Sequence, residues 1–140
     1  MKVKIKYHTD IYRIKKLEQG NWYDLAVVDD YNLNIGDFKL LDLGVSMELP
    51  EGYEAYIVPR SSTFKLYGLI QTNHMGIIDN SFASDEDIWK FPAYATRETR
   101  ITKGTRVCQF RIQKVQPDCI FEEVEALGNK VRGSFGSTGI

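Results

Sequence analysis

An all-β domain, a barrel or sandwich of many short strands, is what this 140-residue sequence predicts. Three observations carry the prediction. Apolar and polar residues alternate with period two through most of the chain, the alternating runs are short, and the breaks between them hold turn chemistry. Those breaks include Asn34-Ile35-Gly36-Asp37, Pro50-Glu51-Gly52 and Lys103-Gly104, rich in residues that reverse a chain.

In chain order, Val3, Ile5 and Tyr7 share one face of a first strand. Residues 11–17 have apolar spacing compatible with a short helix. Strands are predicted over 38–43, 45–49 and 53–58. Residues 60–66 suit a further turn or two of helix, and strands follow over 68–71, 88–95, 106–115 and 119–124. No internal repeat or interdomain linker interrupts this pattern, so residues 1–127 read as one domain. Residues 128–140, rich in glycine and serine, read as a flexible C-terminal segment.

Bulk properties narrow the function. A formal net charge of −1 gives no electrostatic basis for bulk DNA or RNA binding, so an anionic partner must be met by local groups. No apolar run approaches bilayer-spanning length, and Met1-Lys2-Val3-Lys4-Ile5-Lys6 is unlike a signal peptide; a cytoplasmic protein without membrane contact is expected. Cys108 and Cys119 lack metal or disulfide spacing, and Cys108, in an apolar run, is expected to pack as a small hydrophobe. His8 and His74 have no partner pattern for a metal site.

Five segments carry chemistry. Asp24 is a carboxylate suited to a hydrated Mg²⁺. Pro59-Arg60-Ser61-Ser62 ends a strongly β run, where proline stops the ladder and an arginine and two hydroxyls emerge; the same four residues also suit an ordinary surface turn. In Gly76-Ile77-Ile78-Asp79-Asn80-Ser81-Phe82, two β-branched residues lead into an acid. Asp79 is a candidate general base toward water, or a turn residue bonding its own backbone. Gln109 puts an amide inside an apolar strand, where it must find a partner in the protein, water or a ligand. Finally, Arg132-Gly133-Ser134-Phe135-Gly136-Ser137-Thr138-Gly139 combines N–H groups, hydroxyls, a guanidinium and a ring, a set suited to a polyphosphate and a base.

Taken in order, these segments resemble the five motifs of the trimeric dUTPase family, and the resemblance spans the chain after residue 20. It implies a jelly-roll-like all-β fold, a homotrimer with active sites at subunit interfaces, and Mg²⁺-dependent hydrolysis of dUTP to dUMP and pyrophosphate. Asp79 resembles the family's general base and Ser61 the serine at the α–β phosphate region, supported by Arg60 and Ser62. Asn73, Gly76, Ile77 and Ile78 match the hairpin that reads uracil. Phe82 takes the place of a tyrosine against the deoxyribose, and Gln109 matches a phosphate-facing glutamine. Arg132, Gly136, Ser137 and Thr138 resemble the tail's phosphate ligands, and Asp24 the acid that holds Mg²⁺ through water. Phe135 resembles the ring that closes over uracil, with the stretch Trp89-Lys90-Phe91 as another source of that ring. Two other functions fit the same fold: a dCTP deaminase-like enzyme, and a dUTPase-like module that binds a regulatory protein or nucleotide without turnover.

Overall fold

The computed structural model describes residues 1–136. Its strands are β1 (Lys4–Tyr7), β2 (Tyr23–Ala26), β3 (Tyr31–Leu33), β4 (Phe38–Asp42), β5 (Val45–Glu48), β6 (Tyr53–Pro59), β7 (Leu69–Gln71), β8 (Gly76–Ile78), β9 (Lys90–Ala95), β10 (Thr99–Ile101) and β11 (Arg106–Lys114). One short helix, α1 (Thr63–Tyr67), follows β6. The fold is all-β, and every strand pairing among the described residues is antiparallel. No helix among those residues is long and apolar enough to cross a membrane.

Two sheets frame the molecule, one ordered β2-β11-β6-β8 and the other β4-β9-β7, with two-stranded ladders β1-β5 and β10-β3 beside them. Inward-facing residues of the strands meet in one core, in which Trp89, Phe91, Leu25, Leu41 and Ile57 are buried. The Trp89 ring stands edge-on to Phe110, centroids 5.3 Å apart, joining the β9 side of the core to β11. Cys108 packs in this core, and burial pushes its thiol pKa far up.

Two elements differ from expectation. Residues 11–17 form no helix but an extended strap: Tyr12 and Ile14, two apart, both turn inward. Ile14 N donates to the Tyr7 hydroxyl at 3.0 Å, and the Arg13 guanidinium lies 4.3 Å from the Tyr7 ring centroid. Tertiary partners thus take the groups a helical turn would use. Residues 119–124 form no strand. The last backbone tie of the C-terminal arm is Val115 N to Gly52 O, and beyond it Ile120, Phe121, Leu127 and Val131 are exposed. A strand needs a neighbouring strand, and among the described residues this chain supplies none there.

Candidate active site

Strand order places the first group of site residues. Because β11 lies between β2 and β6, Gln109 stands opposite Asp24 on one side and Val58 on the other. Pro59 then ends β6, and the turn Arg60–Ser62 emerges beside them. That turn is pinned from beneath: Arg60 N donates to Thr63 Oγ1 at 3.0 Å, while the fully buried Thr63 hydroxyl donates to Val107 O at 2.6 Å. A register shift between Arg106 and Cys108 lies at the same level of β11.

Asp24 is the hub. Its Oδ2 lies 2.9 Å from Arg106 Nη1 and 3.3 Å from Arg60 Nε, and its side chain is only 7% exposed. Two guanidiniums against one carboxylate leave this corner with a net positive charge. Arg60 Nη1 also donates to Arg106 O at 3.4 Å, and Tyr12 OH donates to Asp24 O at 3.1 Å. Gln109 Nε2 donates to Pro59 O at 3.2 Å. Above the corner opens a polar cleft of ≈ 440 Å³, lined by Asp24, Arg60, Ser61, Gln109 and Trp22 among others. The arrangement suits an anion with several oxygens.

The second group lies on the neighbouring strand β8 and the segment that leads into it. β7 and β8 are consecutive, yet β7 belongs to the β9 sheet and β8 to the β6 sheet, so the hairpin joining them is splayed. β8 is an edge strand, with backbone groups on its outer side not taken by β6. Gly76 packs closely: a Cβ there would sit 3.3 Å from Ile57 Cβ, a tight contact, and 3.5 Å from Gln71 Nε2, an ordinary one. At the hairpin tip His74 takes a φ of 62°, and Met75 N returns to Asn73 O at 2.6 Å.

Asp79 follows β8 and is solvent-facing. Its Oδ1 accepts the Ser81 N–H at 2.7 Å and the Ser81 hydroxyl. These bonds, the hydroxyl's first, hold its carboxyl below the ordinary aspartate pKa. Of the two roles open to Asp79, the turn is formed; it engages Oδ1 alone. Asn80 Nδ2 anchors the turn on Pro50 O at 2.8 Å. Phe82 is 37% exposed beside the acid.

The remaining candidates divide plainly. Phe135 is fully exposed on the arm, and Arg132 and Gly136 are exposed with it; Ser137 and Thr138 lie outside the described residues. Trp89 and Phe91 are fully buried in the core, so neither is available as a ring over a base. That alternative source of the ring is corrected by the alternation of β9, which turns Phe91 inward and Lys90 out. Arg106 and Gln71, both central to the geometry, are not singled out as site residues by sequence alone. Arg106 falls with Lys103-Gly104 and Gln109 in the segment that resembles the family's fourth motif, with no role assigned to it there, and Gln71 shows no signal.

Within one chain Asp79 and the Arg60 turn do not meet. Ile78 pairs with Ala55, which puts Asp79 at the Glu54 end of β6, whereas Arg60 leaves from the Pro59 end. The intervening strand spans roughly 20 Å at about 3.3 Å per residue.

A family model described as dUTPase matches residues 14–139. The chain belongs to the dUTPase family. It is 56% identical over 140 residues to the SPbeta prophage-derived deoxyuridine 5'-triphosphate nucleotidohydrolase YosS of Bacillus subtilis, covering 99% of each chain. Among solved structures it is similar to the dUTPase of Staphylococcus bacteriophage 80alpha with dUPNHPP, at TM-score 0.72 and 20% identity, covering 99% of both chains. It is also similar to a dUTPase from phage phi11 of S. aureus that coordinates a structural Mg(II) ion. That match has a TM-score of 0.76 at 13% identity and covers 91% of this chain and 99% of the other.

Proposed function

We propose that this protein hydrolyses dUTP to dUMP and pyrophosphate in the cytoplasm, as a homotrimer whose sites are shared between subunits. The observation that carries the reading is the separation along β6. A cationic, hydroxyl-bearing cleft lies at the Pro59 end of the strand and the acid Asp79 stands level with its Glu54 end, with Gly76 of the hairpin between them opposite Ile57. Within a chain no single water can reach both Asp79 and a phosphate held at the Arg60 turn, but one can when the Asp79 of one subunit faces the Arg60 end of another. The C-terminal segment, residues 128–140, then supplies a third part, with Phe135 over the base and Arg132, Gly136, Ser137 and Thr138 on the phosphates.

The chemistry follows from the groups present. Gly76, Ile77 and Ile78 offer backbone donors and acceptors to a pyrimidine edge, while Phe82 presses on the sugar and leaves no room for a 2′-hydroxyl. Asp79, through Oδ2, takes a proton from a water as its oxygen bonds the α-phosphorus; the bond to the bridging oxygen breaks and pyrophosphate departs. Arg60, Ser61, Ser62 and Gln109 hold the phosphate oxygens and stabilise the charge that develops.

Asp24 fits a restricted metal role. Its Oδ2 is committed to two arginines, and among the described residues there is no cluster of three metal-ligating side chains. An ion carried on the triphosphate, with waters completing its shell, would fit, and Asp24 would hold it through water; an ion held by the protein alone would not. Mg²⁺ so bound would neutralise phosphate charge.

Pyrophosphate release from dUTP, with dCTP and UTP alongside, tests the reading. Asp79→Asn should retain dUTP binding and lose turnover on the order of a hundredfold or more. Near-normal turnover in that variant would remove Asp79 from the chemistry. Ammonia release from dCTP would point to deamination instead.

A further inference from the structure

The least expected side chain in the molecule is Gln71, at the end of β7. It is 5% exposed, and its Nε2 donates to Ile57 O at 2.9 Å and to Asn73 Oδ1 at 2.8 Å. Its own Oε1 is buried with no hydrogen-bond partner. A buried acceptor without a donor is unfavourable, and a leucine of similar size would avoid it. The amide is therefore explained by what its nitrogen holds.

Its orientation is dictated. A carbonyl only accepts, so the Gln71 amide must turn its nitrogen to Ile57 O. The second N–H of that nitrogen then faces Asn73, whose amide must answer with oxygen. Asn73 Nδ2 is left outward, over Gly76, 3.7 Å from where a side chain would begin on that glycine. Among the described residues it donates no hydrogen bond, and Asn73 is exposed at the mouth of the splayed hairpin.

We propose that Gln71 is a positioning residue for base selectivity: by fixing the Asn73 amide it presents a donor, and never an acceptor, to the pyrimidine. This rests on the dUTP-hydrolysing reading and deepens it. A fixed donor suits a ring carbonyl at the place where cytosine carries an amino group, and an amide free to turn over would accept either.

The test compares kcat/KM for dUTP and dCTP in the full-length protein. Gln71→Leu should lower the dUTP/dCTP ratio about tenfold, chiefly by raising the relative turnover of dCTP. Gln71→Met, whose unbranched chain fits the same space, should do likewise if the branched leucine disturbs packing. Gln71→Glu offers only acceptors, draws Asn73 Nδ2 inward, and should lower the ratio further still. In an Asn73→Ala background, Gln71→Leu should leave the ratio unmoved, since its effect passes through Asn73. Equal losses on both substrates in every Gln71 variant, or a ratio change that persists in Asn73→Ala, would overturn the proposal while leaving dUTP hydrolysis intact. A wild-type protein that releases no pyrophosphate from dUTP would overturn both.

Discussion

The Ser81 hydroxyl is a small group with a measurable job. It donates to Asp79 Oδ1 more strongly when the carboxyl is ionised, so it favours the ionised acid and holds its pKa down. A general base is competent when deprotonated; a depressed pKa therefore extends activity toward acid pH. Ser81→Ala should raise the Asp79 pKa and move the acid limb of the kcat/KM profile for dUTP to higher pH, with the plateau largely kept. An unmoved acid limb would mean that the limb reports some other group. The same scale shows what was legible beforehand. Asp79, Arg60 and Gln109 stand out because their chemistry conflicts with their apolar neighbours in sequence. Arg106 and Gln71 do not, because their roles arise from contacts with Asp24, Asn73 and Ile57, some of them far away in the chain.

Among the elements, α1 is small yet well anchored. Gly68 closes it in the left-handed region at φ 65°, returning its N–H to Phe64 O, while Arg97 Nη2 donates to Leu66 O at 2.7 Å. A Cβ on Gly68 would meet Arg97 Nε at 2.7 Å and Thr96 Oγ1 at 3.0 Å. Gly68→Ala should destabilise the fold by about 1–3 kcal/mol, read by chemical denaturation of the assembled protein. A smaller loss would show that Arg97 moves aside freely. Strands such as β6 and β11 were legible because one face is core and the other is not, which writes alternation into the sequence. β2 was not, since Asp24, Leu25 and Ala26 are all buried and no alternation survives. β3 and β10, at three residues each, are too short to show a period. The strap at 11–17 misled because apolar spacing alone does not tell a helix from a chain lying on a surface.

At the scale of the assembly, the shared-site reading makes a countable prediction. One variant carries Asp79→Ala with an intact arm; another keeps Asp79 but is truncated before Arg132. Each alone should be nearly inactive. Dissociated, mixed equally and reassembled, about three quarters of cyclic trimers contain both chains, and each of these has one site with an intact acid and a neighbour's intact arm. About one quarter of all sites should recover, with mixed trimers confirmed by mass. Confirmed mixing without recovery would mean that every arm closes over its own subunit's acid.

If sites are shared as proposed, the length of β6 has a further consequence, for how faults combine. A chain that serves one site with its Glu54 end and another with its Pro59 end carries two obligations at once. A lesion at Asp79 silences one site in a trimer otherwise built from sound chains, and a lost arm silences a different one. Both faults on a single chain disable two sites of the three, whereas the same faults on adjacent chains can fall on one site and spare the others. In the shared-site reading, the harm done by a pair of such faults therefore depends on whether one chain carries both.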